Sequence, residues 1–186
     1  MTDLDVRPLT AERWRDFVDL FERRGPRGGH RNAPGYGCWC MYWRDRKLAH
    51  GTPKKRAMGR IVRAGGVPGL LAYRGGEAVG WISVSPREEY EVLLRSPHYR
   101  PRDEDEGVWS IVCFVVDKPA QASGVAGALV DAAVTHAREH GAAAVEAYPH
   151  TSKPDDYMGG LDLFRARGFR LTRHASTRAV VRHPLS

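Results

Sequence analysis

The residues from Val112 to Gly127 carry the most chemistry in this chain. Val112, Cys113, Phe114, Val115 and Val116 form an apolar run that reads as the end of a buried strand. Asp117, Lys118 and Pro119 make a short turn, and the stretch from Gly124 to His140 reads as an amphipathic helix. Between strand and helix stand Gln121, Ala122, Ser123, Gly124, Val125, Ala126 and Gly127, in the spacing Gln-x-x-Gly-x-Ala. A strand, a small-residue loop and a helix start of this kind turn backbone N–H groups and the positive end of a helix dipole toward one spot. That spot suits a phosphate. Two carboxylates are placed to move protons nearby. Glu146 lies on the strand after the helix, followed by Tyr148 and His150, and Glu106 lies at the head of the central strand. Each has a plainer reading: Glu146 as an ordinary ion pair, Glu106 as the end of the solvated run Asp103-Glu104-Asp105-Glu106, and His150 as a loop histidine.

Alternating elements must position these groups. Leu4 to Leu9 reads as a first strand, and Thr10 can cap a helix from Ala11 to Arg24 whose face carries Trp14, Phe17, Val18 and Phe21. A breaker-rich loop from Gly25 to Gly35 leads to the aromatic segment Tyr36 to Trp43. Thr52-Pro53 starts a helix that Gly65-Gly66 stops. Leu70 to Tyr73 and Ala78 to Val84 form a hairpin around Arg74 to Glu77, and Arg87 to Leu94 reads as a short helix. Val108 to Val116 is the long central strand, and Ala142 to Tyr148 is the next. Tyr157 to Arg167 reads as a helix ended by Gly168, and Phe169 to His174 and Thr177 to Arg182 close the sheet.

The chain of 186 residues suits one domain, 1–186, with 42% hydrophobic and 27% charged residues. No apolar run approaches the roughly 20 residues of a membrane helix. The acidic start Met1 to Asp5 lacks an apolar signal segment, so a cytoplasmic location is expected. Three cysteines make no disulfide framework and agree with a reducing compartment. The net charge of +7 invites a polyanion, such as nucleic acid or a phosphorylated cofactor, although Arg is scattered along the whole chain as a merely basic surface would have it.

The strand, the Gln121-x-x-Gly124-x-Ala126 loop, the helix to His140 and the ending Leu163-Phe164-Arg165-Ala166-Arg167-Gly168-Phe169 together resemble the GNAT acyltransferases over about Trp81 to Val181. The segment Gly37-Cys38-Trp39-Cys40-Met41-Tyr42-Trp43-Arg44 resembles a signature in a poorly characterised bacterial branch of that family. The resemblance implies an α+β fold with a mixed central sheet flanked by helices and a splayed central strand. It implies an N-acyltransferase that moves an acetyl or other acyl group from acyl-CoA to a primary amine by direct attack in a ternary complex. Phe114, Val115, Val116 and residues Gln121 to Gly127 would hold the cofactor, with a backbone N–H near Val116 as oxyanion donor. The acceptor would be a small-molecule or peptide amine, and a homodimer has family precedent.

The sequence departs from the family in its phosphate loop and at three catalytic positions. The loop residues Gln121, Ala122 and Ser123 are uncharged where members usually carry Arg or Lys, which leaves Lys118 to fold over. Ser110 stands where some members have a general-base carboxylate. Phe164 stands where many have a proton-donating tyrosine, and Tyr157 where an Asn is frequent. Candidate catalytic residues are therefore Ser110, Glu146, Tyr148 and Tyr157. The uncharged loop and basic charge leave open an RNA-dependent relative, with aminoacyl-tRNA as donor or acceptor. Ser110 and Phe164 leave open a non-catalytic CoA-binding module. Cys38-x-Cys40 with His30 and His50 could be read as a metal site, but it lacks the usual two-residue gap and a second cysteine pair, so no metal is expected. The aromatic-thiol segment reads instead as packing of the core or of the acceptor side of the cleft. Cys113 reads as buried and inert. The basic stretch Lys54, Lys55, Arg56, Arg60 and Arg63 reads as a solvated helix face.

Overall fold

Alternating burial makes Leu4–Pro8 an edge strand, β1, that pairs antiparallel with β2 (Gly69–Arg74). The computed structural model describes residues 4–23, 37–102, 106–151, 157–175 and 178–185. The glycine-rich loop with His30, the acids 103–105, and Thr177 lie outside the described residues. After β1, a single 3-10 turn leads into α1 (Trp14–Arg23). Thr10 sits at the entry in extended backbone, but its side chain makes no capping bond. Helix α2 (Thr52–Arg63) is capped by Gly51 at φ +80° rather than by Thr52, with Pro53 in its first turn. The hairpin from β2 to β3 (Glu77–Pro86) turns on Gly75-Gly76 alone, both at positive φ, as a tight two-residue hairpin requires.

A 3-10 turn at Arg87–Glu89 and the short α3 (Glu91–Arg95) lead to β4 (Val108–Val116). Then come α4 (Val125–Glu139), β5 (Ala144–Ala147), α5 (Leu161–Arg165), β6 (Arg170–Ala175) and β7 (Arg178–Pro184). Helix α5 is shorter than the periodicity predicts: Tyr157 lies before it, in a turn, and not at the far end of a helix.

The sheet has seven strands in the order β1-β2-β3-β4-β5-β7-β6. Only β4 and β5 run parallel, joined across α4, and every other pair is antiparallel. Both faces are covered. Leu71, Trp81 and Val115 pack with Phe17, Leu20 and Met58 of α1 and α2. Leu70, Ile82 and Phe114 pack with Val125, Leu129 and Ala133 of α4. Two-sided burial explains why β2 to β4 read as continuous apolar runs instead of alternating ones.

Gly69 shows how tightly the sheet is closed under this core. A Cβ there would lie 2.1 Å from the Ile82 carbonyl oxygen and 2.6 Å from the Trp81 ring. Neither can give way, because the first is backbone and Trp81 is fully buried. Gly69→Ala is expected to lower stability by about 1–3 kcal/mol. Urea unfolding should show it as a lower midpoint at unchanged slope.

Candidate active site

The central strands part where the acyl chemistry was expected. β4 and β5 pair only from Val108↔Ala144 to Ile111↔Ala147. β5 then ends, and among the described strands β4 runs on to Val116 with β3 alone. The β3–β4 register skips Val112: Ser83 faces Cys113 and Val84 faces Ile111. This bulge turns Val112 and Cys113, two successive residues, to the α1 side. Asp117 N–H donates to Val79 O on β3 at 2.9 Å, so Val116 N–H points the other way, toward the side β5 has vacated. Phe114 N–H points there too and donates to the Tyr157 carbonyl at 2.6 Å. The Val116 carbonyl accepts from Gln121 Nε2 at 3.3 Å.

At the end of this edge the chain makes a cradle. Ala122 and Gly124 take left-handed backbone, at φ +56° and +85°. Gly124 starts α4 with no capping side chain on the first-turn N–H groups. Ser123 Oγ donates back to the Ala120 carbonyl at 2.7 Å, which tightens the loop. The helix comes close to the sheet because position 80 is glycine: a Cβ there would lie 2.6 Å from Val125 Cγ1. The charge the loop lacks comes from another element. Arg74, at the end of β2, donates from Nη2 to Ser123 Oγ at 3.0 Å. Its Nε is buried and has no hydrogen-bond partner among the described residues. A guanidinium beside uncapped helix N–H groups is a fitting receptor for a phosphate. Sequence reasoning missed Arg74 because it lies 49 residues from Ser123. The available signal was a basic residue closing a hairpin strand.

Under the joined part of the strands runs a buried polar chain. Ser110 Oγ and the Tyr148 hydroxyl are 2.8 Å apart, and the Tyr148 O–H donates to Glu146 Oε2 at 3.0 Å. Arg182 holds Glu146 Oε1 from Nε at 3.1 Å and from Nη2 at 2.8 Å. Arg87 Nη1 lies 3.5 Å from Oε2. Ser110, Glu146, Tyr148 and Arg87 are all buried. Burial, reinforced by the Glu146 charge, pushes the Tyr148 phenol well above its ordinary range, so it stays a proton donor. The structure thus joins three of the four candidate catalytic residues into one chain and leaves Tyr157 outside it.

Two cavities flank Tyr42 and Trp43. The inner one, about 310 Å³, is walled by Phe21, Val112, Val115 and Met158 and carries Cys38, Cys40, Cys113, His50 and Tyr157 at its surface. The outer one, about 580 Å³, carries Arg46, Lys47, Arg95, His98 and His150. Trp39 and Cys40, at φ +50° and +52°, are two consecutive non-glycine residues in left-handed backbone. Strain of this kind costs on the order of 1–3 kcal/mol per residue and persists where surrounding packing over-determines it. Here Trp39 is clamped by stacking on Phe21, with centroids 5.3 Å apart.

A sequence model of the Acetyltransferase (GNAT) family matches residues 14–169. The chain belongs to the GNAT family. No curated protein sequence matches it. Its fold is similar to the ribosomal-protein-alanine N-acetyltransferase from Brucella melitensis, at 16% identity over 97% of this chain and 99% of that chain, TM-score 0.59. It is also similar to the GNAT domain of S. lividans PAT, at 20% identity over 97% and 89%, TM-score 0.57. A third likeness is to the PaiA N-acetyltransferase from Thermoplasma acidophilum in complex with coenzyme A, at 10% identity over 98% and 99%, TM-score 0.57. At these identities the likeness is one of fold.

As a GNAT protein the chain is an N-acyltransferase. The residues expected at its cofactor site divide in two. Val116, Gln121, Ala122, Ser123, Gly124 and Ala126 lie at least partly exposed along the parted edge and cradle. Phe114, Val115, Val125 and Gly127 are buried. Phe114 packs edge-on to Phe164, and Gly127 lies under Arg167, whose Nε donates to the Gly127 carbonyl at 3.0 Å. A Cβ at Gly127 would lie 1.8 Å from Arg167 Nη2, so this glycine admits a clamp between α4 and α5. Lys118 is exposed, and Glu106 is exposed at the strand head. Among the described residues no group of three or more His, Cys, Asp or Glu could hold a metal ion. Nor is any described helix long and apolar enough to cross a membrane.

The raised Tyr148 value has a measurable consequence. The unfolded chain loses this proton near pH 10, whereas the folded protein keeps it to higher pH. The stability it confers is complete below about pH 10 and is lost as pH rises toward the folded value. Tyr148→Phe is expected to flatten the fall of Tm between about pH 9 and 11, measured by thermal unfolding across that range. Glu146→Ala should cost about 3–5 kcal/mol at neutral pH, because it removes the buried carboxylate that Arg87, Arg182 and Tyr148 share; chemical denaturation would measure that loss.

Proposed function

We propose that this protein transfers an acetyl or other small acyl group from acyl-CoA to a primary amine, by direct attack with both substrates bound. The observation that carries this reading is the edge of β4 that β5 leaves, running into an uncapped α4 N-terminus with Arg74 beside it. Acyl-CoA supplies an activated thioester and, in its diphosphate, the anion such a cradle attracts. Val116 N–H, beside the Phe114 N–H that Tyr157 already holds, would bind the donor's arm along this edge. Val116 N–H, turned toward the parted strands, would stabilise charge developing on the acyl oxygen. The first-turn N–H groups of α4, with Ser123 and Arg74, would hold the phosphates.

The acceptor amine would approach by way of the inner cavity, on the α1 face of β4. Tyr157 lines that cavity, and its hydroxyl, buried in this structure, would return a proton to the leaving thiolate. The Ser110–Tyr148–Glu146 chain acts as a positioning network, because Arg87 and Arg182 engage its carboxylate. An amine partly deprotonated near pH 8 would need no strong base from the protein. The RNA-dependent alternative rests on the uncharged loop and the net charge of +7. Arg74 weakens the first of these grounds.

Thermal unfolding with acetyl-CoA, CoA and bulk tRNA at two salt concentrations tests the reading. A rise in Tm with acetyl-CoA and CoA, followed by acyl transfer in an amine screen, is the expected result. No rise with either at millimolar concentration, with a salt-sensitive rise on tRNA, would overturn it in favour of the RNA reading. Arg74→Ala should weaken CoA binding by roughly tenfold to a hundredfold, the loss of one charge-assisted contact. Isothermal titration calorimetry would read this without any turnover, and Arg74→Lys should recover part of it.

A further inference from the structure

Three thiols, Cys38, Cys40 and Cys113, lie at the wall of the inner cavity, and acyl transfer by direct attack uses none of them. Cys40 and Cys113 are 73 residues apart in the chain, yet their sulfurs are 2.9 Å apart. Two separate departures from regular backbone bring them together. Cys113 reaches the α1 side beside Val112 because of the bulge in β4. Cys40 meets it from a turn in which Trp39 and Cys40 both take left-handed backbone, rare for residues other than glycine. Trp81 Nε1–H donates to Cys40 Sγ at 3.2 Å and fixes where that sulfur sits. Lys54, foreseen on a solvated face, is instead wholly buried. Among the described residues its ammonium has no hydrogen-bond partner, and it only partly offsets the burial that raises the Cys38 thiol. The cavity, about 310 Å³, gives a small neutral oxidant access to sulfurs that are otherwise buried.

We propose that Cys40 and Cys113 form a redox modification site that closes to a disulfide, with a small hydroperoxide as the oxidant. Sulfurs in a disulfide are about 2.05 Å apart, so the pair needs an approach of only about 0.9 Å. Cys40, as thiolate, attacks one oxygen of hydrogen peroxide. The O–O bond breaks, a sulfenic acid forms on Cys40, and the released hydroxide takes up the proton that Cys40 lost and leaves as water. Cys113 sulfur then attacks Cys40 sulfur. The S–S bond forms, the S–O bond breaks, and the hydroxide leaves as water with the Cys113 proton. Two thiols lose two electrons, one peroxide gains them, and two waters result. The bond would tie the cavity wall carrying Cys40 covalently to β4. The pairing does not depend on the acyl-transfer reading, since only sulfur chemistry is measured.

The test treats the full chain with hydrogen peroxide, then alkylates it under denaturing conditions and maps the peptides by mass spectrometry. The expected result is a loss of two hydrogen masses, alkylation at Cys38 alone, and a reductant-sensitive Cys40–Cys113 peptide. Cys38→Ser should form the same link, while Cys40→Ser and Cys113→Ser should not. Oxidation should raise Tm, and dithiothreitol should reverse the rise. Alkylation of all three cysteines after peroxide, a Cys38–Cys40 link, or sulfinic or sulfonic acids without a link would each overturn the proposal. Should Cys40→Ser or Cys113→Ser fail to fold, the wild-type and Cys38→Ser maps still decide it.

Discussion

Beyond Ile111 and Ala147 the two parallel strands stop bonding to each other, and the backbone groups that β4 leaves open are in a largely buried setting. Buried N–H and C=O groups need partners, so this edge must be met by something other than β5. The chain meets part of the demand itself. The Tyr157 carbonyl takes the Phe114 N–H, and Gln121 caps the Val116 carbonyl. Val116 N–H faces the side that β5 has left, close in sequence to the loop that starts α4. The bulge at Val112 sharpens the arrangement, since it bends β4 away from a regular ladder and reverses the facing of the residues after it. The cradle, the inner cavity and the thiol pair all take their positions from these few residues of one strand.

Where β4 and β5 remain joined, Glu146 ties the surrounding elements together. Its carboxylate accepts from Arg182 on β7 and Tyr148 just past β5, with Arg87 of the turn after β3 beside it. Ser110 on β4 closes the chain through Tyr148. A buried ion pair gains little net stability over a well-packed apolar core, because its desolvation cost is large. Its geometry is nevertheless specific. Two guanidinium groups and a phenol can be satisfied around one carboxylate in few ways. The strands can then separate beyond Ala147 while keeping one register before it.

The α1 face is organised by aromatic packing. Phe17, Phe21, Trp39 and Trp81 contact one another with centroids between 4.4 and 6.5 Å. Trp81 links this cluster to the sulfur pair through its indole N–H. Arg44 extends it outward, stacking on Tyr90, donating to Ser85 Oγ at 2.6 Å and pairing with Glu89. The apolar inner cavity and the charged outer one are thus two sides of a single packed segment, with Tyr42 and Trp43 between them.

By itself the sequence determined the elements whose causes are local. The apolar run Val108 to Val116, the small-residue loop around Gly124 and the amphipathic stretch to His140 each declare strand, turn and helix within a few residues. Their order carries the family and the fold. The Gly75-Gly76 turn was legible for the same reason, since positive φ at two successive positions favours glycine. Tertiary structure decided what depends on partners far along the chain. Burial placed Lys54 inside, although its basic neighbours read as a solvated face. Hairpin geometry brought Arg74 to Ser123 and supplied the charge the loop lacks. The bulge at Val112 has no signature of its own, yet it set which face Cys113 joins and so brought it to Cys40. Secondary structure follows from short-range backbone preference and periodicity. The site follows from which surfaces meet, and that is set only when both faces of the sheet are covered at once.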